Sequence, residues 1–231
     1  MSSFRNIYYP KNIFNLMKKI YLIILAILPF LLILLSRYFF PPSYFFSSIY
    51  KLLYLIPIIY WLSTKQFFNK FSFTSLKKNI YLILGLTFLT ALIYSSAFLI
   101  AKNYIDLGLI STSLQSLASI NSTNIILIGI YVIFINSLLE EMFWRGYIFK
   151  GLYSNPFIAH IVSAFCFALF HSVFFVYWFN IYLIILIFIA LFIFAVVENY
   201  VLLKTQDLFS CWLIHAVADI VQITIGLIIL F

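Results

Sequence analysis

Two adjacent carboxylates with a guanidinium one helical turn further on form the first arrangement in this chain that could do chemistry. The segment Ser-Leu-Leu-Glu-Glu-Met-Phe-Trp-Arg-Gly sets Glu140, Glu141, Arg145 and Gly146 inside apolar sequence. At 3.6 residues per turn Glu141 and Arg145 are i, i+4 neighbours on one face, while Glu140 points about 100° away. One glutamate can therefore be pinned by the arginine while the other stays open as a candidate general base or acid. A buried ion pair that only holds the helix end is the alternative reading of Glu141 and Arg145.

Two further pieces stand downstream. Phe167-x-x-x-His171 closes a helix of small and aromatic residues, and His215-Ala-Val-Ala-Asp219 puts an imidazole and a carboxyl group on one helical face. The second spacing allows a His–Asp contact that sets the tautomer or steadies an imidazolium. Taken singly, each reads as well as a polar packing contact between helices.

The elements that must position these groups are set by composition. Of 231 residues, 65% are hydrophobic and 9% charged, far from the roughly 45–50% apolar and about 25% charged of an ordinary soluble domain. Soluble, disordered, collagen-like and coiled-coil chains are thereby excluded, leaving an all-α polytopic membrane bundle as one integral membrane domain, residues 1–231. A hydrocarbon core of about 30 Å needs roughly 20 apolar residues per helix. Seven spans fit, with six to eight as the range: Ile20–Ser36, Tyr44–Ser63, Ile80–Ala101, Asn124–Lys150, Phe157–Trp178, Ile181–Val201 and Leu208–Phe231. The Ser- and Leu-rich stretch Leu107–Ile120 is the candidate eighth, as a re-entrant or interfacial piece.

The formal charge of +8, from 14 Lys and Arg against 6 Asp and Glu, suits cytoplasmic loops of a membrane protein better than nucleic-acid binding. Residues 1–19 form a basic cytoplasmic segment that leads into a retained signal anchor. With the N-terminus inside, Arg5, Lys11, Lys18, Lys19, Lys65, Lys70, Lys77, Lys78, Arg145, Lys150 and Lys204 fall on the inner side. Arg37 and Lys102 fall outside, and Lys51 lies within a span. The expected location is the cell membrane, multi-pass. Glu140, Glu141, Glu198 and Asp219 all lie in apolar segments, as do His160, His171 and His215. Such groups cost several kcal/mol each at membrane depth and persist mainly where they pair, meet water or do chemistry. Glu198 is expected at the interface, snorkelling towards Lys204, and His160 at the inner headgroup boundary. Cys166 and Cys211 are expected as small core residues rather than nucleophiles.

Glu-Glu-x-x-x-Arg on the fourth span, Phe-x-x-x-His on the fifth and His-x-x-x-Asp on the seventh together resemble the three motifs of the CAAX protease and bacteriocin-processing (CPBP, or Abi) family. Gly146 after the arginine, Ser163 ahead of the second motif and Lys204-Thr205-x-x-Leu208-Phe209 ahead of the third strengthen the likeness, which covers about Ser137–Ile220. Residues 124–220 would then be the catalytic core. The resemblance implies an intramembrane glutamic endopeptidase that cuts near the end of a hydrophobic or lipidated peptide or protein, without metal or cofactor. Carried over, Glu140 is the general base with His171, while Glu141 and Arg145 support it as an ion pair. His215 and Asp219 match the pair assigned to the oxyanion. Membrane lipid and a peptide or lipidated protein are the implied partners, with a peptide exporter or a pheromone or bacteriocin system as further ones.

Three departures matter. Asp219 stands where the CAAX type has Asn, Gln206 replaces a turn Gly, and depth is awkward. From Asn124 to Glu140 is about 24 Å and from Pro156 to His171 about 22 Å, so straight antiparallel helices would put the two near opposite faces. The fourth span must start deeper, tilt, or extend past Gly146 towards Lys150. Three rival functions remain: a non-catalytic bacteriocin self-immunity or peptide-maturation partner; a zinc-dependent membrane metalloprotease, for which no His-Glu-x-x-His is present; and a proton-coupled carrier using the buried carboxylates, against which the lack of recognisable internal repeats counts.

Overall fold

The computed structural model describes residues 11–39, 49–64, 73–116, 120–121 and 123–231. Residues 1–10 of the basic N-terminal segment and 44–48 of the second expected span lie outside the described residues. The described elements are helices: α1 (Lys11–Phe39), a 3₁₀ segment Ile49–Leu55 running into α2 (Ile56–Thr64), α3 (Phe73–Lys78), α4 (Ile80–Ala101) and α5 (Leu107–Ser116). After these come α6 (Ile125–Leu152), α7 (Pro156–Ser172), α8 (Ile181–Thr205) and α9 (Leu208–Leu230). Six are long and apolar enough to cross a membrane, namely α1, α4 and α6 to α9. The second expected span is represented by an apolar but shorter helix, Tyr50–Ser63. The candidate eighth, α5, has 10 residues, about 15 Å, too short to cross.

Helix boundaries follow local chemistry. Asn155 caps α7 by accepting from the Ile158 amide at 3.2 Å, with Pro156 in the first turn, and Asn180 caps α8 through the Leu183 amide at 3.0 Å. Each satisfies an amide the helix leaves without a partner. Between α8 and α9 the chain reverses in two residues. Gln206 takes the left-handed conformation (φ 54°), and Asp207 caps α9 by accepting from the Phe209 amide at 3.2 Å and the Ser210 hydroxyl at 2.9 Å. The left-handed cap is the place usually given to glycine, which is why a turn Gly fits there in the resembled family.

α6 is the axis of the bundle. Its second half contacts α1, the 3₁₀ segment, α2, α7, α8 and α9, and every residue of Met142–Phe149 is buried. Helix α6 departs from regular α geometry twice, with π-helical turns at Val132–Asn136 and Met142–Phe149. Those wide turns flank the α-helical turn Ser137–Glu141, and such turns occur often at functional sites. The Ser163 hydroxyl from α7 donates to the Trp144 carbonyl within the second of them at 3.2 Å. Gly146 lets α9 approach, because a Cβ there would sit 3.3 Å from the Leu208 side chain.

The depth difficulty is resolved by continuation of the helix. α6 runs on to Leu152, so both motifs are measured from the short turn between α6 and α7. Glu140 lies about 18 Å from that end and His171 about 22 Å, nearly level.

Candidate active site

Glu140 sits between two imidazoles and an amide. Asn136, one turn earlier on α6, donates its Nδ2 to Glu140 Oε1 at 2.6 Å. Glu140 Oε2 meets His171 Nε2 from α7 at 3.1 Å. The other ring nitrogen of His171, Nδ1, lies 2.9 Å from the Phe167 carbonyl. A carbonyl only accepts, so Nδ1 carries a hydrogen. The Nε2–Oε2 contact then needs one proton of its own, held by His171 as imidazolium or by Glu140 as the acid.

His215, from α9, faces the same carboxylate from the other side. Its Nε2 lies 3.8 Å from Glu140 Oε2 and 4.0 Å from Asp219 Oδ1, both beyond hydrogen-bond distance. Its Nδ1 is 2.6 Å from Glu141 Oε1. The three motifs therefore converge on one place, and all six residues expected there, Glu140, Glu141, Arg145, His171, His215 and Asp219, lie in it. Asn136 was not foreseen, although its i, i+4 spacing to Glu140 is a readable signal.

Behind this face lies a fully buried group of charges. Arg145 Nη1 binds Glu141 Oε1 at 2.8 Å, and Nη2 pairs with Glu198 of α8; all three side chains have 0% exposure. The expectation for Glu198 is thus corrected: it turns into the bundle towards Arg145 and not out to the interface. Its neighbour Asn199 is buried as well. The lipid side of α8 is carried by Tyr182, Ile185, Leu186, Ile189, Ile193 and Tyr200, all exposed at helical spacing. The Arg145 guanidinium also lies over the Phe167 ring, 4.4 Å from its centroid. That ring in turn packs against His171, tilted by 34° with centroids 4.1 Å apart, and stands edge-on to His215 at 6.0 Å.

Glu141, Glu198 and His215 offer three donor atoms within 4.8 Å of one another, the residue types and spacing of a cation site. The positive charge among them is the guanidinium of Arg145, which contacts both carboxylates. A divalent ion bound to the same oxygens would have to displace it.

The packing that fixes these groups reaches beyond the motifs. Trp212 Nε1 donates to Ser137 Oγ at 3.0 Å, tying α9 to the turn that carries the glutamates. Tyr50 and Tyr54 of the 3₁₀ segment close the other side, packed on Phe170 at 4.7 Å and Phe143 at 5.1 Å. Cys166 and Cys211 are buried free thiols, and the His160 ring packs edge-on against Phe149 at 4.9 Å.

Comparison with curated proteins and with solved structures finds no match. The family model of the type II CAAX prenyl endopeptidases, Rce1-like, matches residues 122–221. That stretch contains every charged residue of the site just described, in agreement with the resemblance drawn from the motifs. Over residues 122–221 the chain is therefore similar to the Rce1-like family of type II CAAX prenyl endopeptidases, which are membrane proteases.

Proposed function

We propose that the chain is a metal-independent intramembrane endopeptidase in which Glu140 activates water against a peptide bond near the C-terminus of a hydrophobic or lipidated substrate. The observation that carries this reading is the placement of Glu140 Oε2 at 3.1 Å from one imidazole and 3.8 Å from a second. In the reacting form His171 holds the proton of its pair and Glu140 is the carboxylate. Glu140 takes a proton from water as the water oxygen bonds to the scissile carbonyl carbon. The carbonyl oxygen becomes an oxyanion and receives a hydrogen bond from His215 Nε2–H. Collapse of that intermediate breaks the C–N bond, and Glu140 returns the proton to the leaving amine. The gaps of 3.8 and 4.0 Å around His215 Nε2 are the spacing at which a bridging oxygen fits.

Asp219 has a division of labour different from Asn. An ionised carboxylate accepts hydrogen bonds and cannot donate one to an oxyanion. At 4.0 Å from His215 Nε2, its role in this reading is to favour the positive imidazolium that does donate. Metal independence is supported by Arg145, whose fixed charge already compensates the carboxylates that would bind a metal.

The substrate reading rests on access. Side-chain exposure is 21% for His171, 11% for Asp219 and 4% for Glu140, so the reactive edge opens at the His171 and Asp219 side. A transmembrane helix keeps its peptide groups bonded to one another, so an unwound or terminal segment is what can enter. In this reading the distribution of lysines favours a cytoplasmic N-terminus, and with seven crossings the α6–α7 and α8–α9 turns then lie on the cytoplasmic side. The test is cleavage of a fluorogenic farnesylated peptide ending in a CAAX sequence by purified protein in liposomes. Release of a C-terminal fragment by the wild type but not by Glu140→Gln supports the reading. Equal release by both, or cleavage that stops when a chelator is added, contradicts it.

A further inference from the structure

Glu198 lies outside the three motifs, and the mechanism above makes no use of it. Its position is nevertheless costly, because a carboxylate with 0% exposure loses its hydration and costs several kcal/mol unless compensated. Arg145 does not require it for charge, since Glu141 already binds Nη1 at 2.8 Å. Its effect is geometric. With Glu141 on Nη1 and Glu198 on Nη2, the planar guanidinium is held at both ends, across α6 and α8, and cannot swing about the Glu141 contact.

The held guanidinium touches the supports of both imidazoles. Glu141 Oε1, which receives Arg145 Nη1, is the same atom that lies 2.6 Å from His215 Nδ1. The Phe167 ring beneath the guanidinium packs against His171. Depth agrees with this relay: Arg145 is seven residues before Leu152, Glu198 seven before Thr205 and His215 seven after Leu208, each about 10 Å from its helix end.

We propose that Glu198 is a positioning residue of the site: by holding the Nη2 side of Arg145 it fixes Glu141, and through Glu141 the ring of His215 that faces Glu140. This rests on the protease reading for its kinetic consequence, though not for its geometric one. Glu198→Gln removes the charge while keeping the length. It is expected to lower kcat about 10- to 100-fold on the farnesylated reporter, the size seen when outer-shell partners of a site are removed, with KM within about twofold.

The second readout needs no substrate. In ¹⁵N-histidine-labelled protein in lipid nanodiscs, with His215 assigned by its loss in His215→Gln, the His215 Nδ1 signal should shift in Glu198→Gln while that of His160 stays. A wild-type kcat with an unmoved His215 signal overturns the proposal, and so does a lowered melting temperature with both readouts unchanged. If the wild type cleaves no reporter, the protease reading fails by itself and the His215 signal still decides the relay. Should Glu198→Gln not fold, Glu198→Asp takes its place, with a kcat lowered several-fold and a shifted His215 signal expected. Wild-type values for both would overturn the proposal.

Discussion

Glu140 and Glu141 are adjacent in the chain and sit in two different media. Glu140 meets an amide and two imidazoles on the edge of the bundle where His171 is 21% exposed. Glu141 meets a guanidinium and the back of one imidazole, at 0% exposure. A rotation of about 100° between consecutive residues of a helix thus gives two identical side chains different work. The open one stands between two imidazoles that can exchange protons, whereas the sealed one shares its single imidazole with a guanidinium that cannot, because arginine stays charged. In the proposed mechanism, proton chemistry belongs to the first region and rigidity to the second.

This contrast can be broken most severely from the sealed side. Arg145→Met leaves Glu141 and Glu198 buried without their counter-charge. The expected loss is about 3–5 kcal/mol of stability, together with all activity, seen as a large drop in the detergent melting temperature. On the open side His171→Gln should leave melting unchanged, since the ring is part-exposed, and lower kcat by about 10²-fold or more. The comparison sharpens at Asp219. Asp219→Asn exchanges an acceptor for a side chain that can donate to the oxyanion directly, so kcat should stay within about tenfold of wild type while its pH profile changes shape. The smallest effect is expected far from both regions. Gln206→Gly relieves a left-handed backbone position at the end of α8 and should raise stability by up to about 1 kcal/mol with activity unaltered.

Much of the site is legible in the chain. Glu141–Arg145, Phe167–His171 and His215–Asp219 each carry an i, i+4 spacing, so local helical geometry already aligns their side chains, and the structure brings all three together. What local spacing cannot show is pairing between helices distant in sequence. Glu198 was expected at the interface because Lys204 is a nearby cation, whereas its partner is Arg145, 53 residues earlier by number. The apolar sequence of α8 has no polar stripe to mark an inward face. The equal spacing of Arg145 and Glu198 from their helix ends is the signal that could have joined them. The depth conflict between Glu140 and His171 likewise came from the wrong end of α6. Counting from the α6–α7 turn removes it, because that turn is the point the two helices share. The first half of the chain shows no motif, and what Tyr50 and Tyr54 bring to the site is aromatic packing, which leaves no chemical signature.

The central claim is that these two neighbouring glutamates divide base catalysis and support between them. Its most direct test is the single-turnover rate of farnesylated-peptide cleavage by Glu140→Gln and Glu141→Gln side by side in liposomes, each paired with its melting temperature. The account predicts that Glu140→Gln keeps the wild-type melting temperature and loses at least about 10³-fold in rate. Glu141→Gln should lower the melting temperature and retain measurable cleavage. A Glu140→Gln protein that cleaves at the wild-type rate would contradict it.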